Sequence, residues 1–146
     1  MTIRSLSVLV LLTAAATAQA EEYFSVAENH AILYDAPSTK AARLFVVSRF
    51  LPLEQVVNLG DWVKVRDASG SLGWVERRAL STKRYVVVSA DSCAIRQAPS
   101  VDAATLIRVK QKVALEWLEN TGTGWVKVRH RDGASGFLKA AEIWGG

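Results

Sequence analysis

Trp-Val-Lys-Val-Arg occurs twice in the chain, at Trp62–Arg66 and Trp125–Arg129, and in both runs apolar and charged positions alternate. A period of two places Val63 and Val65 on one face of a strand, with Trp62, Lys64 and Arg66 on the other; Trp125 repeats the outward position of Trp62. A polar turn containing Gly70 or Gly133 follows, and Gly73-Trp74-Val75 or Gly136-Phe137-Leu138 then resumes an extended run. Strand, glycine turn and strand predict a hairpin in each copy. Upstream, Leu51 and Leu53 match Val113 and Leu115 as one apolar face, and the next shared apolar position is Val56 or Leu118. That spacing switches parity, which predicts a β-bulge, the device that bends a strand to close a small barrel. Neither copy carries a long helical period, so each reads as an all-β unit of short strands.

The duplication extends well beyond the hairpin. At an offset of 62, Tyr23 matches Tyr85, Ala36-Pro37-Ser38 matches Ala98-Pro99-Ser100, Leu44 matches Leu106, Asn58 matches Asn120 and Gly60 matches Gly122. The offset becomes 63 where Thr123-Gly124 stands against Asp61, in a turn that can absorb an insertion. An internal repeat of this length implies two small domains of one kind, here residues 21–82 and 83–146. A domain of about 60 residues buries only about 60% of its unfolded surface and is marginal alone. The joint Ser81–Arg84 is too short to be a free linker, and Val86-Val87-Val88 needs cover on both faces of its strand. The two domains are therefore expected to pack on each other with this strand near the seam.

Residues 1–20 read as a signal peptide rather than as structure. Arg4 gives the positive start, Leu6–Leu12 the apolar core, and Ala18-Gln19-Ala20 a small-x-small cleavage site. The apolar stretch is short for a membrane span, and no cysteine follows the cut to carry a lipid. A periplasmic or secreted protein without stable membrane insertion is expected. Removal of the segment takes away only Arg4 and lowers the formal net charge from +4 to +3. A mildly basic exported chain argues against a nucleic-acid partner and leaves acidic envelope polymers within reach of a weak field.

Chemistry is sparse. Cys93 is the only cysteine, so no internal disulfide can form, and Ala31 occupies its position in the first copy. It is expected to be a small buried hydrophobe. His30 and His130 fall at unrelated places in the copies, no carboxylate pair recurs, and there is neither metal-ligand spacing nor a phosphate loop. The expectation is a non-enzyme with no cofactor and no metal.

Trp62–Ser81, read as WVKVRDASGSLGWVERRALS, resembles the bacterial SH3-like pattern: a Trp-x-x-Val strand, a polar glycine turn, Gly-Trp-Val and a short closing segment. Ile95–Ser100 is similar to that family's arginine-containing motif, and Leu33–Ser38 fits it with Tyr34 in place of the arginine. Ala141–Gly145 resembles the end of the second copy in tandem exported proteobacterial proteins of this type. The resemblance implies two tandem, five-stranded, partly open SH3-like β-barrels with a binding role. Ala31–Asp35 also resembles the opening of eukaryotic SH3 domains, but the second copy does not repeat it, so polyproline recognition is not expected.

The expected function is a non-catalytic periplasmic module that recognises peptidoglycan or a peptide of an envelope protein. The alternative is a structural or assembly protein of the cell envelope with no small ligand. Candidate ligand-binding residues are Trp62, Lys64, Arg66, Trp74 and Trp125. Trp62 and Trp74 are expected to lie side by side as a platform for a sugar ring or peptide, with the basic groups facing a carboxylate. The competing role for these indoles is to cover the thin edge of the barrel. Trp125 preserves Trp62 in the second copy, whereas Phe137 replaces Trp74 and loses its indole N–H.

Overall fold

A computed structural model of the protein describes residues 21–146; the predicted signal peptide, residues 1–20, lies outside the described residues. The first repeat contributes β1 (Tyr23–Val26), β2 (His30–Tyr34), β3 (Arg43–Ser48), β4 (Pro52–Asn58), β5 (Trp62–Arg66), β6 (Leu72–Glu76) and β7 (Leu80–Ser81). The second contributes β8 (Tyr85–Val88), β9 (Ser92–Arg96), β10 (Thr105–Lys110), β11 (Ala114–Asn120), β12 (Trp125–Arg129), β13 (Ser135–Lys139) and β14 (Ile143–Trp144). Both sheets are antiparallel and have the same strand order, β3-β2-β6-β5-β4-β1-β7 and β10-β9-β13-β12-β11-β8-β14. The architecture is two tandem, partly open β-barrels. The count of five strands falls short, because each repeat opens with a strand (β1, β8) that pairs on one side with β4 or β11. On its other side the same strand pairs with a two-residue closing strand, β7 or β14.

The alternation read from the sequence is the register observed. Val63 faces Val75 and Val65 faces Gly73 across β5–β6, and all four are buried. Gly70 and Gly133 take φ of 87° and 95° in the hairpin turns, where a side chain would be strained. Gly73 and Gly136 have a different role, in close packing. A Cβ on Gly73 would lie 2.8 Å from the Leu33 Cβ, and one on Gly136 would lie 2.5 Å from the Arg96 carbonyl oxygen. Only glycine lets β6 and β13 fold down on β2 and β9, which is what curls each sheet.

The predicted bulge is present in both copies, as register shifts between Gln55 and Val57 and between Trp117 and Glu119. Its side chains differ from the expectation of a continued core face. The bulge turns Val56 outward, 41% exposed, and leaves Leu118 half-buried. Each barrel has its own core, with Leu33, Leu53, Val63, Val65 and Val75 in the first, and Ile95, Leu115, Val126, Val128 and Leu138 in the second. Cys93 sits in the second core at the place of Ala31 in the first. Burial, with the Glu142 carboxylate adding to it, pushes the thiol up to about 11, so it is protonated at neutral pH.

The repeats pack directly on one another. Val86, Val87 and Val88 are all buried; Val86 and Val88 enter the second core, while Val87 lines the groove between the repeats. The Arg84 guanidinium lies 5.2 Å from both the Tyr23 and Trp117 rings and donates to the Gly145 carbonyl at 2.8 Å. Tyr23 meets Trp144 edge-to-face at 5.3 Å, and Phe50 stacks on Tyr85 at 4.7 Å. Gly145 approaches Pro52 so closely that an added Cβ would come within 2.7 Å. The joint is fixed as well, since Ser25 Oγ donates to the Lys83 carbonyl at 2.7 Å.

Candidate functional site

The β5–β6 hairpin of the first repeat sets the geometry of the predicted platform. Trp62, Lys64 and Arg66 alternate with buried valines and so share the outer face of β5, while Leu72, Trp74 and Glu76 share that of β6. The register pairs Trp62 with Glu76, Lys64 with Trp74 and Arg66 with Leu72. The two indoles are thus diagonal neighbours across the hairpin rather than side by side. Lys64 fills the place opposite Trp74 and Glu76 the place opposite Trp62.

Tyr34 completes this face, and the candidate set lacked it. It is buried, pairs with Trp74 across β2–β6, and receives the Trp62 ring edge-to-face at 5.6 Å. The departure of Leu33–Ser38 from the arginine-containing motif was the visible signal, because an aromatic had replaced the arginine that Arg96 supplies in the second copy. Arg66 is on the same face but at its far end. Its Nη1 donates to Glu54 Oε2 at 3.1 Å across β4–β5, so its charge is already partnered. Trp125 belongs to the other sheet, opposite Lys139, and does not join the Trp62 cluster.

Two clefts flank Tyr34 and Trp62. One, about 680 Å³, is bounded by the Pro37–Thr39 loop, Trp62 and Glu76–Arg78. The other, about 190 Å³, is lined by Tyr34, His30, Glu76 and Arg78 among others. Trp74 lines neither. Arg78 Nε donates to Glu76 Oε2 at 2.6 Å, and that bond is the main reason the Glu76 carboxyl titrates below its ordinary range. The wall of both clefts therefore carries a neutralised pair, with Trp62 as the large apolar surface of the wider one. In the second repeat Lys127 lies 5.8 Å from the Phe137 ring and Arg96 donates to the Ala103 carbonyl at 3.0 Å, so the equivalent face is more basic and less aromatic.

Among the described residues, no group of three His, Cys, Asp or Glu side chains could hold a metal ion. No helix there is long and apolar enough to cross a membrane.

The bacterial SH3 domain pattern matches the chain twice, over residues 27–82 and again over residues 89–145. The chain belongs to the bacterial SH3 domain family. Bacterial SH3 domains are typically binding modules, and this chain is a tandem pair of them. Solved structures of NlpC1 and NlpC2 from Trichomonas vaginalis are similar to this tandem over 94% and 87% of its length, at 13% and 11% identity and TM-scores of 0.39 and 0.40. An NlpC/P60 family protein from Bacillus cereus is similar over 83%, at 16% identity and a TM-score of 0.40. The tandem spans about half of those chains, 50%, 49% and 55% respectively. Comparison with curated proteins gave no match.

Proposed function

We propose that this tandem bacterial SH3 protein is an exported, non-catalytic binding module that recognises peptidoglycan or a peptide of an envelope protein. The observation that carries the reading is the aromatic cluster of the first repeat, where Trp62, braced by Tyr34, walls an open cleft of about 680 Å³ with Lys64 and Trp74 on the adjoining face. A half-buried indole beside an open cleft offers a flat apolar surface to a sugar ring or an extended peptide. The signal-peptide pattern read in residues 1–20 supports an envelope partner, and the protonated, buried Cys93 argues against thiol catalysis.

A second reading, an assembly protein without a small ligand, draws on the aromatic seam between repeats. Substitution separates the two. Trp62→Phe and Trp74→Phe in the mature protein are compared by thermal melting and by binding to purified sacculi. A ligand face predicts that Trp62→Phe weakens sacculus binding by about tenfold, while the melt moves little because Phe keeps most of the buried area. Trp74→Phe has the smaller effect, since Trp74 does not line the cleft. Binding that falls only in step with stability would leave the first barrel as scaffold.

A further inference from the structure

A third and larger depression lies between the repeats, about 960 Å³ in volume. Its walls are the β3–β4 turn of the first repeat, carrying Arg49 and Phe50, and the β10–β11 and β12–β13 turns of the second, carrying Lys112 and Arg131. The carboxylates beside it are already engaged. Glu116 lies 3.5 Å from both Lys83 and Arg129, and Asp67 Oδ1 accepts from the Ser69 and Ser71 amides of its own turn. Among the described residues, no carboxylate stands within ion-pair distance of Arg49, Lys112 or Arg131. Three unpaired cations from both repeats thus line one groove.

Two of the three cations are specific to the second repeat. Where Lys112 and Arg131 stand, the first repeat has Phe50 and Ala68. The turns that present Phe50 and Lys112 are also strained, with φ of 71° and 70° in the left-handed region that favours glycine. Both are pinned by amide bonds, Phe50 N–H to the Val26 carbonyl at 3.0 Å and Lys112 N–H to the Val88 carbonyl at 2.9 Å. The ring surfaces of the groove are already occupied. Phe50 and Tyr85 stack on each other, Arg49 lies 4.7 Å from the Phe50 centroid and Lys83 5.7 Å from that of Tyr85. Stacking of a base or sugar is thereby disfavoured, and the groove is left with its cations and an aliphatic wall that includes Leu51 and Val113.

We propose that the inter-repeat groove binds an extended acidic peptide, its carboxylates pairing with Arg49, Lys112 and Arg131 and its aliphatic parts lying along Val87, Val113 and Leu51. The inference deepens the envelope-peptide branch of the function above, at a site separate from the Trp62 cleft.

The test is fluorescence anisotropy with a labelled oligoglutamate and its oligoglutamine counterpart, using the mature full-length protein. Oligoglutamate is expected to bind at least about tenfold more tightly than oligoglutamine and to weaken with added salt. Lys112→Glu/Arg131→Glu, with folding checked by melting, is expected to lose about tenfold or more in affinity. Lys40→Glu/Lys139→Glu, the same charge change away from the groove, is expected to leave binding within about twofold. Equal binding of the two peptides, no oligoglutamate binding, or equal loss in both double variants would overturn the proposal. Sacculus binding, measured in parallel, reports on the Trp62 reading. If sacculi bind and oligoglutamate does not, the groove proposal fails alone; the reverse result would remove the peptidoglycan branch of the Trp62 reading and keep the groove.

Discussion

The two repeats share a core and differ in what they show to the outside. Leu33 and Ile95, Leu53 and Leu115, Val65 and Val128, and Val75 and Leu138 occupy equivalent buried places. Outside the aliphatic core, the buried Tyr34 becomes Arg96, and the more open Trp74 becomes Phe137 and Ala68 becomes Arg131. The seam has diverged as well: Glu22 becomes Arg84, Gln55 becomes Trp117 and Ser81 becomes Trp144. Core positions keep aliphatic character and change little in volume because interiors are close-packed. Outer positions are free to specialise. The first repeat became an aromatic face and the second a basic one, and the seam residues diverged because each repeat meets the other rather than a copy of itself.

The shared scaffold breaks most readily at its paired glycines. Gly136→Ala is expected to cost about 3 kcal/mol, because the new methyl collides with the main-chain oxygen of Arg96. Gly73→Ala is expected to cost somewhat less, about 2 kcal/mol, since the new methyl meets the Cβ of buried Leu33 at 2.8 Å rather than a main-chain oxygen at 2.5 Å. Urea unfolding of both variants checks the ranking, and equal costs would show that the backbone of β9 yields as easily as a side chain.

At the seam, Arg84→Ala should lose about 1–2 kcal/mol, because the guanidinium lies against two rings and bonds a main-chain carbonyl. The equivalent change in the first repeat, Glu22→Ala, should stay within about 0.5 kcal/mol at its exposed site. Thermal melts of the pair measure how much of the difference between repeats serves their contact.

Cys93 sharpens the comparison of the cores by pH. Its folded-state pKa is raised from 9.0 to about 11, so its contribution to stability is complete below about pH 9 and is lost as pH rises through about 11. Cys93→Ala, which restores the first repeat's residue type, should remove that alkaline loss. Denaturant titrations below and above about pH 9 reveal it, and alkylation of the native thiol should be slow near neutrality.

The smallest effect concerns the left-handed turns. Lys112→Gly relieves strain at an exposed site and should stabilise by about 0.5–1 kcal/mol. Phe50→Gly relieves the same strain but forfeits the stack on Tyr85, so its gain should vanish or reverse. A matched rise in melting temperature for both would show that the stack contributes little.

The duplicated scaffold was readable because its signals are local. Alternation in WVKVR fixed the buried faces, the shifted spacing at Val56 and Leu118 located both bulges, and the hairpin glycines marked the turns. What escaped depends on long-range placement. Tyr34 reaches Trp62 only because β2 folds against β6, and register alone separates the two indoles diagonally. The groove was hidden for the same reason, as its cations come from turns far apart in the chain. One trace of it could be read in advance: positions where two copies of one pattern disagree in charge or size mark surfaces with separate tasks, and Phe50/Lys112 and Gln55/Trp117 are such positions.

The edge-to-face contact of Tyr23 with Trp144 has a consequence for how the protein acquires its shape. It joins residues 121 positions apart, while nearly all other pairing is internal to one repeat. Hairpins close quickly and distant partners slowly, because loop closure costs entropy before it is rewarded. Contacts within each barrel are therefore expected to form before the Tyr23–Trp144 contact, which ties the end of the second repeat back to the start of the first. Closure of that end of the seam is thus expected to follow closure of the hairpins in each barrel.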